Sequence, residues 1–123
     1  MKINKLITNN FLAKNRLLGA FDVQYIDASY LDVLILARDY IHKGHRLLTH
    51  PLSGSVKPKE TPYKSIVISS YTENLHLQSL SIIEESIACY QRFNDRNIPE
   101  SALKDFMEID CSLIESALCR LGF

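Results

Sequence analysis

Short apolar runs of strand length alternate along this chain with segments of helical period, and that alternation most limits what it can fold into. Lys5 to Thr8 (KLIT) reads as a first strand, closed by Asn9 and Asn10, which suit a strand end followed by a turn or a helix cap. Phe11 to Leu18 has helical spacing, with Gly19 placed just past its end. From Phe21 to Ile26, the residues Phe21, Val23 and Tyr25 alternate with Asp22 and Gln24, the period of a half-buried edge strand. Ser29 and Asp32 form a capping-box pattern ahead of Tyr30, Leu34, Ala37 and Ile41, which recur at helical intervals. Arg46 to Thr49 (RLLT) reads as a short third strand, and Tyr63 to Ser69 as a fourth with a buried Ile66-Val67-Ile68 centre. A long helix follows from His76 to Asn94, Pro99 opens a short helical segment, and Ser112 with Glu115 has the form of a cap before a last helix. This order predicts a single small α/β domain over residues 1–123, with three layers, a mostly parallel sheet of about four strands and helices on both faces. The direction of the fourth strand stays open, because the segment before it could make either a wide hairpin or a crossover.

Several function classes are disfavoured at once. The formal net charge is zero and no nucleic-acid-binding module signature is present. No apolar run has the roughly 18 to 20 residues of a membrane span, and the first residues lack a signal-peptide core, so a cytoplasmic location is expected. Cys89, Cys111 and Cys119 are odd in number and form no CxxC pair, which predicts buried, reduced thiols rather than a disulfide framework or a zinc ribbon.

The unusual residues concentrate between Ile41 and Ser65. Three of the four histidines (His42, His45, His50) and three of the four prolines (Pro51, Pro58, Pro62) fall there. Five basic side chains (Lys43, Arg46, Lys57, Lys59, Lys64) stand there against Glu60 alone, a net +4 inside a neutral chain. A zinc site on the three histidines fails on geometry. With Arg46 to Thr49 extended, His45 and His50 lie roughly 16 Å apart at about 3.3 Å per residue, so no metal ligand is assigned.

His50 follows the third strand at its carboxyl end, where open α/β sheets place their ligands. The same edge should gather Asn9, Asn10 and Ser29, with Thr49, Ser53, Gly54, Ser55, Lys57 and Lys59 from the loop. Hydroxyls, amides, a histidine and two lysines beside a helix N-terminus suit an anion or a phosphorylated small molecule. The plainer alternative is that Ser29 only caps its helix and the loop is ordinary surface. LSGSVKP is neither a GxxxxGK[ST] loop nor a GxGxxG turn, and Ser53 and Ser55 lack a GxSxG elbow. No catalytic residue or cofactor is therefore assigned, and the basic loop could equally dock an acidic partner.

The block HKGHRLLTHPLSGSVKPKETPYKS, extended by YLDVLILARDYIHKGH upstream and LQSLSIIEESI downstream, resembles the GrdX family, small proteins encoded beside the glycine, sarcosine and betaine reductases of amino-acid-fermenting anaerobes. The resemblance implies an accessory or regulatory role with a reductase-complex subunit as partner. It implies no reductase chemistry, since the chain has no redox cysteine pair. Binding of an anionic small molecule at the strand edge around His50 is the alternative.

Overall fold

The computed structural model describes residues 3–52 and 59–123. Strand β1 (Lys5–Thr8) is followed by helix α1 (Phe11–Leu17), strand β2 (Asp22–Tyr25) and helix α2 (Tyr30–His42). Then come strand β3 (Ser65–Ile68), helix α3 (Leu77–Arg92), a 3-10 turn (Glu100–Ala102) and helix α4 (Leu103–Arg120).

Among the described residues the sheet has three strands in the order β2-β1-β3. β1 pairs with β2 in parallel, Leu6 beside Val23, and with β3 antiparallel, Leu6 beside Val67. The expectation of about four mostly parallel strands is corrected on both counts. Arg46 to Thr49 does run alongside β3, but it makes only an isolated bridge, Leu47 to Ile68. The physical reason is where its backbone donors go. The Arg46 N–H bonds the Ser69 hydroxyl and the Leu47 N–H the Ser79 hydroxyl, while Leu48 and Thr49 both donate to the Val67 carbonyl. A ladder needs partners that alternate regularly along both strands, and this segment lacks them. Its antiparallel run beside β3 makes the connection a wide hairpin, so the start of β3 reaches the carboxyl ends of β1 and β2. Ser69 and Ser70 lie at the opposite end.

Apolar residues at both parities of β1 and β3 reflect cover on both faces. Ile7, Ile66 and Ile68 pack with Val33, Leu34, Ala37 and Ile41 of α2 and Ile83 and Ile87 of α3. Leu6 and Val67 pack on the other face with Phe21 and with Ile114 and Leu118 of α4. Leu47 and Leu48 are half-buried, one against each core. β2 is an edge strand, as read from its sequence, but its burial does not alternate: Asp22 is exposed and Val23, Gln24 and Tyr25 are all half-buried.

The caps are local. Asn10 caps α1, Ser29 and Asp32 complete the capping box of α2, and the His76 ring accepts from the Ser79 N–H at the start of α3. Gly44 follows α2 at φ 107°, and a methyl group there would run into the Glu73 backbone. Ser112 opens no helix: α4 runs unbroken through it, because Asp110, Cys111, Ile114, Ala117 and Leu118 already form one buried stripe. No helix among the described residues is long and apolar enough to cross a membrane.

Candidate functional site

At the carboxyl ends of β1 and β2 a cleft of about 330 Å³ opens between the Asp27–Tyr30 turn, the Lys59–Tyr63 segment and the residues just past α3. Asn9, Ser29 and Lys59 line it together, without Thr49 or His50. Tyr30, Tyr63 and Tyr90 form its aromatic wall, with Asp95 and Arg96 at the far side.

The polar groups below the cleft are joined to one another. The Asn9 side-chain amide donates to the carbonyls of Ala28 (3.0 Å) and Pro62 (2.8 Å), and its oxygen accepts the Lys64 N–H (2.9 Å). One side chain thus ties the end of β1 to the turn before α2 and to the lead-in of β3. Deeper down, the Asn10 N–H donates to the Thr8 hydroxyl, Thr8 bonds Ser65, and the Ser65 hydroxyl donates to Asp110 Oδ2 at 2.7 Å. The Asn10 side chain, fully buried, donates to the same carboxylate oxygen (2.9 Å) and to the Met107 carbonyl, while its oxygen caps α1. Asp110 is 5% exposed. The network pins α4 to the end of the sheet.

Lys64 and Tyr30 border the Asp110 end of this network, and Tyr30 also lines the cleft. Lys64 is 7% exposed and shares with Asp110, Tyr30, Thr61 and Tyr63 a narrow hollow of about 10 Å³, room for about one water-sized group. Burial lowers the pKa of its amine from the ordinary lysine value, with the Asp110 charge acting against the shift. Burial, followed by the Asp110 charge, raises that of the Tyr30 phenol.

Ser29 serves its helix. Its hydroxyl accepts the Asp32 N–H (3.1 Å), and its own N–H reaches the Asp32 carboxylate (3.2 Å). The α2 N-terminus expected to be free for a ligand is therefore already met by a carboxylate of its own. Lys59 is covered rather than solvated: its side chain is 15% exposed, pairs with Asp95 at 2.9 Å and stands 4.9 Å over the Tyr90 ring. Tyr90 in turn stacks on Tyr30, with centroids 5.0 Å apart. Thr49 is buried, and its hydroxyl accepts the Val67 N–H (3.0 Å).

His50 stands apart from these groups. Its Nδ1 accepts the Leu52 N–H (3.1 Å), which leaves Nε2 as the protonated nitrogen of the neutral ring. It borders a separate hollow of about 340 Å³ with Glu85, Cys89 and Arg92 of α3. His45 instead bonds the Ser69 carbonyl through Nδ1 at the opposite end of the sheet. Ser53, Gly54, Ser55 and Lys57 lie outside the described residues. None of the three cysteines is paired, and they differ: Cys111 is buried, Cys89 half-buried and Cys119 exposed, which corrects the expectation of three buried thiols. Burial and Glu115 push the Cys111 thiol up to about 11.

A family model described as GrdX-like protein matches residues 5–119. This chain belongs to the GrdX-like protein family. The match covers both core faces, the Asn9–Asp110 network and the cleft above it, and extends beyond the blocks on which the sequence resemblance rested. No match was found among curated proteins or among solved structures.

Sequence reasoning missed Asp110, Tyr30 and Tyr90 as lining or supporting groups and counted Lys64 only among the basic residues of the Ile41–Ser65 stretch, whereas it is buried. Asp110 had a signal: it falls four residues before Ile114 and seven before Ala117, on the apolar stripe of its helix. An acid on a core-facing stripe needs donors, and those donors came from far along the chain.

Proposed function

We propose that this GrdX-like chain is a non-catalytic accessory or regulatory protein of the glycine, sarcosine and betaine reductase system. Membership of the family over nearly the whole chain carries the association. The binding role is supported by how the polar side chains are used. Asn9, Asn10, Ser29 and Thr49 are engaged in caps and in bonds between segments, an arrangement that holds a surface in shape rather than turning over a substrate. The segment from His50 to Lys64 is the proposed partner face. The test is capture of reductase components by the tagged chain from cells that express them. One identified reductase subunit should be retained at low salt and released at high salt, as for an electrostatically assisted contact. If no reductase component is enriched at any salt, and deletion of the gene leaves reductase level and activity unchanged, the proposal fails.

A second reading is favoured by one observation: the cleft brings Asn9, Ser29 and Lys59 together around 330 Å³ of space. In this reading the chain binds a small metabolite carrying an anionic group. A ligand at a hundred times its dissociation constant stabilises the native state by about 2.7 kcal/mol, roughly 10 °C in melting temperature for a domain of this size. Melting scans with phosphate, nucleotides, acyl phosphates and small organic acids and amino acids test it. A melting temperature that none of them moves would remove this reading.

A further inference from the structure

The two edges of the sheet are finished differently. Beside β3 the chain closes its own edge: the Leu48 and Thr49 N–H groups donate to the Val67 carbonyl, and the Thr49 hydroxyl accepts the Val67 N–H. β2 forms the other edge. Its Asp22 N–H donates to the Asn4 carbonyl, and the Ile26 N–H just past it donates to that of Thr8. By the alternation of a strand Gln24 also faces β1, while Val23 and Tyr25 turn their N–H and C=O groups outward. Among the described residues no hydrogen bond reaches those outward groups. The usual devices that blunt an edge are missing as well. β2 pairs with β1 residue for residue without a bulge, contains neither Pro nor Lys, and has its one charge, Asp22, held by Lys5 at 2.7 Å.

Apolar side chains flank this open edge. Ile3, Phe11 and Leu18 are each about half exposed. Phe11 sits against Tyr25 at the carboxyl end of β2, with ring centroids 5.9 Å apart. Ile3 and Leu18 join Phe21 and Val23 around an open groove of about 730 Å³ at its amino end.

We propose that β2 is the seam of a homodimer, in which two copies of this chain pair antiparallel about a twofold axis at Gln24. Val23 of each copy then lies opposite Tyr25 of the other, which satisfies their outward N–H and C=O groups and sets a β-branched side chain against an aromatic one. Gln24 meets its own copy at the axis, a position without backbone bonds where side chains approach most closely. Its amide is donor and acceptor in one group, so it complements itself while its oxygen stays 3.5 Å from the Tyr40 hydroxyl. No like charges oppose one another, since Asp22 falls opposite Ile26 and Phe21 opposite Asp27. The axis is normal to the sheet, so α1 keeps the same face in both copies. The reversed strand therefore brings Phe11 and Tyr25 of each copy beside the Ile3–Leu18 groove of the other. A foreign strand would satisfy the same backbone groups, but a second copy also supplies the matching apolar ends and the glutamine at the axis.

The experiment is sedimentation of the intact chain from about 10 μM to about 1 mM, where the mass should rise from that of the monomer towards twice that value. Gln24→Glu and Gln24→Lys each put like charges at the closest approach of the two strands. Either alone should weaken the dimer at least about tenfold, and an equimolar mixture of the two should restore it. On the unaltered chain the Val23 and Tyr25 amides should exchange with deuterium at least about tenfold more slowly at the higher concentration, and the Gln24 amide, which faces β1, should change less. A chain that stays monomeric at about 1 mM, a dimer indifferent to the charge at residue 24, or outward amides that exchange equally at both concentrations would overturn the proposal. The exchange measurement needs no variant and decides the matter even if a substitution impairs folding.

Discussion

Two hollows among the described residues have nearly the same volume, about 330 and 340 Å³, and differ in what lies behind them. Behind the Asn9–Ser29–Lys59 cleft is a continuous buried chain of donors and acceptors running from Thr8 and Asn10 through Ser65 to Asp110. Behind the His50 hollow is one face of α3, and His50 itself is held by a single short-range bond to the Leu52 N–H. Polar residues close together in sequence have been given different tasks: Lys64 lies inside, Thr49 completes the edge of β3, and His50 stays in solvent. A positive net charge over a stretch therefore says little about a positive surface, because some of its cations are buried or paired.

The sharpest way to break this comparison is Asp110→Ala. It strips Ser65 and Asn10 of their acceptor and leaves Lys64 buried without a counter-charge, so denaturant unfolding should show a loss of about 3–5 kcal/mol, roughly 10–20 °C in melting temperature. A loss below about 1 kcal/mol would mean that the network does not support this end of the sheet. Ser29→Ala tests the cap at the cleft rim and should cost about 1 kcal/mol; a larger loss would give Ser29 a part in the fold beyond α2.

A smaller effect should follow pH. The Lys64 amine has a lower pKa folded than unfolded, so the unfolded chain holds the extra proton between that lowered value and about 10.5. Over this window the stability of the unaltered protein should rise with pH relative to Lys64→Met, and the difference should be flat below it. Melting temperatures of the two proteins across alkaline pH measure this, and a gap that does not change would place Lys64 in solvent. His50→Ala should be least consequential, within about 0.5 kcal/mol by urea unfolding. A larger loss would show that the second hollow is supported after all.

What could be read from the sequence was what depends on near neighbours. The Ser29–Asp32 box, the Asn10 cap, Gly44 at the end of α2 and the helical periods of α2 and α3 are set by residues within about one turn of each other. The same holds for the burial of Ile66-Val67-Ile68, since apolar side chains at both parities demand cover on both faces. The Ser112–Glu115 pattern misled because a capping signature acts only where a helix begins, and buried positions already at Asp110 and Cys111 carried α4 through it.

Only the tertiary structure decided the direction of β3, the failure of Arg46–Thr49 to form a ladder and the meeting of Lys64 with Asp110. Each turns on partners distant in sequence: Asn10 and Asp110 are 100 residues apart, Arg46 and Ser69 23. The free energy of a buried charge or an open backbone donor depends on which group arrives opposite it. No local pattern contains that group.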